Sequence, residues 1–206
     1  MSIRFKFNAL VCGFLALATP QVMRAESGND GKCSALENAV ILVIRHAEKP
    51  ESGPGLSAQG EARAKAYVNY FKSFRIDSQL LKLETIFAAA DSKASHRPRL
   101  TVEPTAQAFN LAIDSRFKHE DYQEMVDEIR GQPHGKAMLI AWHRGEIPQL
   151  LRALGADPKQ LLPKAKWAEE VFGWVIQLRY GADGRLVEAK RINEHLLPDD
   201  TEMDSE

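Results

Sequence analysis

The stretch Val40-Ile41-Leu42-Val43-Ile44 runs directly into Arg45 and His46. An unbroken apolar run rich in β-branched residues is typical of a strand buried on both faces of a parallel sheet. A second such run, residues 137–142, is followed directly by His143. Ligands of open α/β sheets bind beyond the carboxyl ends of the strands. We therefore expect the two histidines and Arg45 to converge at one edge of a sheet, although they lie far apart in the sequence.

The rest of the chain alternates between helical and strand patterns. The spacing of apolar residues predicts helices over residues 57–74, 101–112, 122–129 and 147–154, a strand over 85–89, and a hairpin of 171–180 with 186–192. Arg63 is expected on the polar face of the first helix, and Pro104 in the first turn of the second, where proline is tolerated. The pattern predicts a three-layer α/β sandwich in which helices flank a mainly parallel central sheet.

Both ends of the chain are expected to lie outside the globular domain. Residues 1–25 combine a basic start, an apolar run of twelve residues and a small-residue site at Ala25, which is the pattern of a cleaved export signal. The alternatives are an uncleaved membrane anchor, for which the run is short, and a buried N-terminal helix. Residues 26–36 are expected to be a flexible leader, 37–198 the domain and 199–206 an acidic tail. We accordingly expect an exported protein, periplasmic or extracellular, without a stable membrane anchor.

Composition narrows the classes of partner and cofactor. The chain of 206 residues suits one domain and carries a net charge of −1, which argues against nucleic acid or an anionic membrane as the main partner. Cleavage after Ala25 leaves Cys33 as the only cysteine, so no internal disulfide is expected. The sequence contains no zinc-protease, P-loop or paired-cysteine motif, so we expect neither a metal nor another cofactor.

Four blocks of the sequence, taken in order, resemble those of the histidine phosphatase superfamily, which includes the phosphoglycerate mutases. Residues 43–50 are similar to the Arg-His signature that opens the family, and 55–60 to its Gly-Leu-Ser/Thr-x-x-Gly segment. Residues 95–101 resemble its second arginine block, and 141–148 the block around its second histidine. Together the blocks extend over most of the chain that follows the expected signal. Four blocks in the family order are stronger evidence than any single Arg-His pair.

The resemblance implies a phosphoglycerate mutase-like fold and a reaction on a small phosphorylated substrate. It assigns His46 as the nucleophile that becomes phosphohistidine, Arg45 and Arg97 as ligands of the phosphate oxygens, and His143, as imidazolium, as a further catalytic donor. A neutral imidazole suits attack on a dianion, and guanidinium groups match pairs of phosphate oxygens. Arg99 competes with Arg97, but Arg97 has the family spacing to Thr101. The helix that opens near Gly145 is expected to direct free backbone N–H groups at the same anion.

The proton donor to the leaving group is not identified by any of the four blocks. Glu146 follows His143 by about one helical turn and is the first candidate, with Glu48 and Asp91 as alternatives. Without a donor, substrates with good leaving groups are favoured. The other histidines show no ligand spacing and are expected to be ordinary surface residues: His119, His134 and His195.

Two other functions fit the same blocks. A phosphomutase would retain the phosphoryl group, but mutases of this family usually have a longer insertion than the 45 residues between Arg97 and His143. A non-enzymatic member would bind a phosphorylated ligand without turnover, yet it would have little reason to keep Arg45, His46, Arg97 and His143 together. Hydrolysis of phosphoric monoesters is therefore the first expectation, and the sequence does not identify the ester.

Overall fold

The structure is a computed structural model that describes Met1, residues 35–198 and Asp200. Apart from Met1, the expected signal segment lies outside the described residues, as does most of the leader and of the acidic tail. The strands are β1 (Val40–Arg45), β2 (Arg75–Ile76), β3 (Gln79–Leu80), β4 (Thr85–Ala88), β5 (Ile113–Asp114), β6 (Ala137–Trp142), β7 (Trp174–Tyr180) and β8 (Leu186–Asn193). The helices are α1 (Ala58–Ser73), α2 (Arg97–Phe109), α3 (Tyr122–Gly131), α4 (Ile147–Ala153) and α5 (Pro158–Leu161).

Six of these strands form one mixed sheet, in the order β5-β4-β6-β1-β7-β8. The pairs β5–β4, β4–β6 and β6–β1 are parallel, whereas β7 pairs antiparallel with both β1 and β8. The two apolar runs quoted above are thus the neighbouring central strands β1 and β6. The mainly parallel sheet predicted from the sequence is confirmed, with the predicted hairpin at its edge.

Side chains of the central strand alternate between two buried layers, as the pleat of a strand requires. Ile41 and Val43 pack with α3 and α4, while Leu42 and Ile44 pack with α1 and α2. Every residue from Ile41 to Ile44 is fully buried. Helices therefore cover both faces of the sheet, and the three-layer α/β sandwich is confirmed.

The structure corrects two details of the predicted helices. Helix α2 begins at Arg97, so Pro104 lies in its interior rather than in its first turn, and Pro98 occupies the first turn instead. Arg63 is not on a solvent face, because its side chain is only 2% exposed and bonds to three carboxylates. A sequence pattern assigns polar residues to the solvent-exposed face of a helix. For an arginine that is buried and ion-paired, this assignment is wrong.

The domain also extends slightly beyond its predicted ends. Leu36 is fully buried in the core, so at least this residue of the expected leader belongs to the domain. Asp200, expected in a loose tail, is ion-paired with Arg63. The described part of the chain contains no helix with the length and apolar character needed to cross a bilayer.

Candidate active site

The register between β1 and β6 brings the two sequence-predicted histidines together. Arg45 is opposite Trp142 in this parallel pair, and the N–H of His46 donates to the carbonyl of Trp142 at 3.0 Å. The residues that follow the two strands, His46 and His143, consequently meet at the same edge of the sheet. Their ring centroids are 5.1 Å apart, in an edge-to-face arrangement.

A hydrogen bond fixes which nitrogen of His46 is available. Nδ1 lies 2.7 Å from the carbonyl oxygen of Ala47. A carbonyl only accepts, so Nδ1 carries the hydrogen, and in the neutral ring Nε2 holds the free lone pair. The N–H of Ala47 donates to Thr101 Oγ1 at 2.8 Å, and that hydroxyl donates to the carbonyl of Arg97 at 2.7 Å. The loop that carries His46 is thereby attached to the start of α2.

The charge state of His46 suits a nucleophile. Burial lowers its pKa to about 3, and the charges of His143, Arg45 and Arg97 act in the same direction. The imidazole is therefore uncharged at neutral pH and also at moderately acidic pH. A lone pair on Nε2 is available over this whole range.

The first arginine is rigidly held at the rim. Nη1 of Arg45 donates to the carbonyls of Glu169 at 2.6 Å and Val171 at 2.9 Å, and its guanidinium lies over the ring of Phe172 at 3.7 Å. Burial lowers the pKa of Arg45 to about 10, so it remains charged at neutral pH. Its Nε is buried without a hydrogen-bond partner among the described residues, and so is Nε of Arg97. A buried N–H group normally has a hydrogen-bond partner. These two unpaired N–H groups are therefore positions at which a bound ligand would accept a hydrogen bond.

The structure separates the two competing arginines. Arg97 lines the same cleft as His46 and His143. Arg99 instead pairs with Asp91 at 2.9 Å and with Glu103 at 3.3 Å. Arg97 donates from Nη1 to the backbone carbonyls of Gly53 at 3.5 Å and Ala94 at 3.4 Å, and no carboxylate among the described residues is paired with it. Of the two, it is therefore the arginine that is placed to contact an anion in the cleft.

Of the three candidates for proton donor, one lines the cleft. Glu146 does so, with a side chain that is 29% exposed. Glu48 is held by Arg63 at 2.7 Å beneath the site, and Asp91 is held by Arg99. Neither Glu48 nor Asp91 is among the residues that line the cleft.

Sequence reasoning missed His119, which was expected to be an ordinary surface residue. Its side chain is 51% exposed, but its ring lies 5.5 Å from that of His143, and it lines the cleft. The loop that carries it follows β5, a strand of two residues. So short a strand leaves no readable pattern, and only the order of parallel strands in the sheet could have indicated that this loop reaches the same edge.

The cleft has a volume of about 480 Å³ and an excess of positive charge. Its lining residues are Arg45, His46, Lys49, Ser92, Ala94, Ser95, Arg97, His119, His143, Arg144, Gly145, Glu146 and Glu169. Lysines and arginines outnumber the carboxylates by four to two, which favours an anionic ligand. Helix α4 begins at Ile147, so the predicted helix opening at Gly145 is the turn before it. Among the described residues, no cluster of three His, Cys, Asp or Glu is placed to hold a metal.

The protonation of His143 differs from the expectation of an imidazolium. Burial lowers its pKa to about 4, and His119, Arg97 and Arg45 contribute to the same shift. The ring is therefore uncharged at neutral pH in this arrangement, mainly because it is buried and also because Arg97 and Arg45 are nearby. A dianion beside it would oppose this effect and favour the protonated form.

This combination of fold and site defines a three-layer α/β protein with a cleft around two histidines that is rich in positive charge. Neither a protein-family model nor a curated protein matches the chain. Among solved structures, it is similar to phosphoglycerate mutase from Plasmodium falciparum at 16% identity and a TM-score of 0.51, covering 80% of this chain and 97% of that one. It is also similar to a phosphoserine phosphatase mutant from Entamoeba histolytica, in complex with phosphoserine, at 12% identity and a TM-score of 0.51, covering 77% of this chain and 100% of that one. The chain therefore has a phosphoglycerate mutase-like fold.

Proposed function

We propose that this chain is an active histidine phosphatase, which hydrolyses phosphoric monoesters through a phosphohistidine on His46. The hydrogen bond from Nδ1 of His46 to Ala47 carries the proposal, because it leaves an uncharged Nε2 as the nucleophilic atom. A buried, neutral imidazole beside two arginines and a second histidine suits attack on a dianionic phosphoryl group.

The proposed reaction has two steps. In the first, Nε2 of His46 forms a bond to phosphorus as the bond to the leaving oxygen breaks, and that oxygen takes up a proton. In the second, water attacks phosphorus, the bond to Nε2 breaks, and His46 recovers its lone pair. Arg45 and Arg97 hold the non-bridging oxygens throughout, and His143 stabilises the charge that these oxygens share in the transition state.

The two alternatives are distinguished by where the phosphoryl group goes. In a phosphomutase it returns to an alcohol, whereas in a phosphatase it passes to water. In a non-enzymatic member it stays on the ligand. Turnover in ¹⁸O-labelled water therefore separates a phosphatase from both alternatives, because only a phosphatase releases phosphate that contains oxygen from the solvent. Transfer of the phosphoryl group to an added alcohol would then distinguish a mutase from a non-enzymatic member.

We expect the purified protein to hydrolyse 4-nitrophenyl phosphate and to remain active after dialysis against a chelator. The arginines, together with His143 once a bound dianion favours its protonated form, supply the positive charge that a metal would otherwise bring to the phosphoryl group. Release of nitrophenolate before and after dialysis is the measurement. Activity that is abolished by the chelator and restored by one divalent ion would contradict a metal-free mechanism, and binding of phosphate without turnover would favour the non-enzymatic alternative.

We also propose that the protein is exported and cleaved near Ala25, on the basis of the basic start and the short apolar run in residues 1–25. The expected result is that the chain recovered from the periplasm or medium begins near Glu26. Intact-mass measurement of that chain decides the question. A chain that retains Met1 and remains in the cytoplasmic fraction would exclude export.

A further inference from the structure

The cleft contains an imidazole and a carboxylate that have no role in the two reaction steps proposed above. His119 and Glu146 both line it, and Nδ1 of His119 lies 3.6 Å from Oε1 of Glu146. This is an ion-pair distance rather than a hydrogen bond. The rings of His46, His143 and His119 form a row of edge-to-face contacts, with centroids 5.1 and 5.5 Å apart. His119 thus belongs to the same cluster as the proposed nucleophile.

The backbone around His119 is attached to the two strands beside it, which is unusual for an ordinary surface loop. Its carbonyl accepts a hydrogen bond from Nε1 of Trp142 at 3.0 Å, and Trp142 directly precedes His143. Two residues earlier, the carbonyl of Phe117 accepts from the N–H of Ala90, just beyond β4, at 2.7 Å. The ring of His119 is therefore held over the same edge of the sheet as His46.

The other nitrogen of His119 has an exchangeable partner. Nε2 lies 3.2 Å from Oε2 of Glu120, whose side chain is 57% exposed. An exposed pair of this kind contributes little free energy, so a substrate oxygen can replace Glu120 at small cost. Glu146, on the opposite side of the ring, can hold Nδ1 while this exchange takes place.

We propose that His119 is the proton donor to the leaving oxygen, and that Glu146 positions its ring; this inference rests on the phosphatase function proposed above. As the P–O bond breaks, Nε2–H of His119 gives its proton to the departing oxygen, and the ring becomes neutral. When water then attacks the phosphohistidine, its proton passes to the same Nε2, which restores the starting state. Histidine is the side chain that most often acts as a general acid and base in enzymes, and both steps require such a group.

A carboxylic acid in this role would need a different environment. A carboxyl group stays protonated near neutral pH only in an apolar pocket that disfavours its charge. Glu146 is instead partly exposed and faces an imidazole in a cleft rich in cations. Its place beside Nδ1 suits a group that orients the donor, so Glu146 is the positioning residue of the pair.

The test compares two substrates of similar shape with different leaving groups, 4-nitrophenyl phosphate and benzyl phosphate. Nitrophenolate departs without help, whereas the alkoxide of benzyl alcohol requires a proton. The measured quantity is kcat/KM, which reports the steps up to cleavage of the P–O bond. We expect His119→Asn to lower it about 100-fold or more for benzyl phosphate and less than about fivefold for 4-nitrophenyl phosphate.

Two further variants separate the donor from its partner. Glu146→Gln should lower kcat/KM for benzyl phosphate about tenfold, and the double variant should be no slower than His119→Asn alone, because the two residues act as one unit. His195→Asn removes an exposed histidine that does not line the cleft, and should leave kcat/KM for both substrates as in the parent.

Three outcomes would overturn the inference. Equal losses on both substrates in His119→Asn would indicate lost phosphate positioning, and no loss on either would leave His119 without a role. A selective loss in Glu146→Gln that is absent in His119→Asn would make Glu146 the donor. Failure of the phosphatase proposal is a different result: the parent would hydrolyse neither substrate, or His46→Ala would keep its activity on 4-nitrophenyl phosphate.

Discussion

Replacing His46 with alanine is expected to reduce hydrolysis of 4-nitrophenyl phosphate below about a thousandth of the parent rate, a loss of about 4 kcal/mol in transition-state stabilisation. In the proposed mechanism His46 forms the bond to phosphorus, and no neighbouring group is placed to substitute for it. The ring of His143 is the nearest alternative, with its centroid 5.1 Å from that of His46, but a bound dianion favours the protonated form of His143, which has no lone pair for attack. Steady-state rates of parent and variant are the measurement.

Trapping of the intermediate identifies the atom that attacks. The parent, quenched without acid during turnover of labelled substrate, should carry phosphate on His46, and the variant should carry none. His46→Asn is a useful companion, because its amide nitrogen can still donate to the carbonyl of Ala47 that now accepts from Nδ1. This variant keeps the local hydrogen bond but lacks a nucleophile, so it should be folded and equally inactive.

A residual rate above a thousandth of the parent would contradict the assignment of His46. Label recovered from His143 or from another residue would do the same and would name the true nucleophile. Circular dichroism of both variants excludes unfolding as the cause of a loss. His195→Asn, outside the cleft, should keep the parental rate and the parental labelling.

The parts of the fold that could be predicted are those in which the sequence pattern reports burial directly. Residues 40–44 and 137–142 are unbroken apolar runs because β1 and β6 are central strands covered on both faces. The meeting of His46 and His143 follows from the parallel register of these two strands. Here a local pattern and a general rule of sheet geometry together were sufficient.

The elements that were missed depend on tertiary contacts. Strands β2, β3 and β5 have two residues each, too few for a period of two to be recognised. The sequence predicts too late a start for α2, because Pro104 fits a first-turn position there, whereas in the structure Pro98 fills that position. The sequence does not indicate that His119 lies at the cleft, because the position of its backbone depends on the hydrogen bond from Trp142 to its carbonyl. None of these contacts has a local signature in the sequence.

The prediction that Arg63 lies on the polar face of its helix is wrong for a different reason. It rests on the rule that an arginine on a helix is normally exposed to solvent. In the structure its guanidinium is buried and bonds to Glu48 at 2.7 Å, to Glu194 at 2.9 Å and to Asp200. These carboxylates come from the loop that carries His46, from the segment after β8 and from the C-terminal end of the described residues. Burial raises the pKa of Glu194 to about 8 even though Arg63 acts to lower it. The guanidinium of Arg63 thus bonds to three carboxyl groups from separate segments of the chain.

We expect Arg63→Met to lower the free energy of unfolding by about 3–5 kcal/mol at pH 7, because it leaves buried carboxylates without a counter-charge. Arg99→Met is the matched control: Arg99 also pairs with two carboxylates, but its side chain is 29% exposed, and the expected loss is below about 1 kcal/mol. Urea-induced unfolding of the parent and both variants provides the comparison.

The dependence of this loss on pH distinguishes charge from packing. Arg63 holds the pKa of Asp200 below its ordinary value and acts to lower that of Glu194, so the pKa of both groups should rise in Arg63→Met. For Asp200, the stability that the ion pair contributes is present above the unfolded pKa and is lost as the pH falls through the folded pKa, whereas Glu194, with a pKa of about 8, is already protonated in the parent at pH 7 and below. The deficit of Arg63→Met should therefore be smaller at pH 4 than at pH 7 because of Asp200, whereas the small deficit of Arg99→Met should change little. An equal deficit at both pH values would mean that Arg63 stabilises the protein by packing alone, and a deficit no larger than that of Arg99→Met would remove its role as the buried counter-charge.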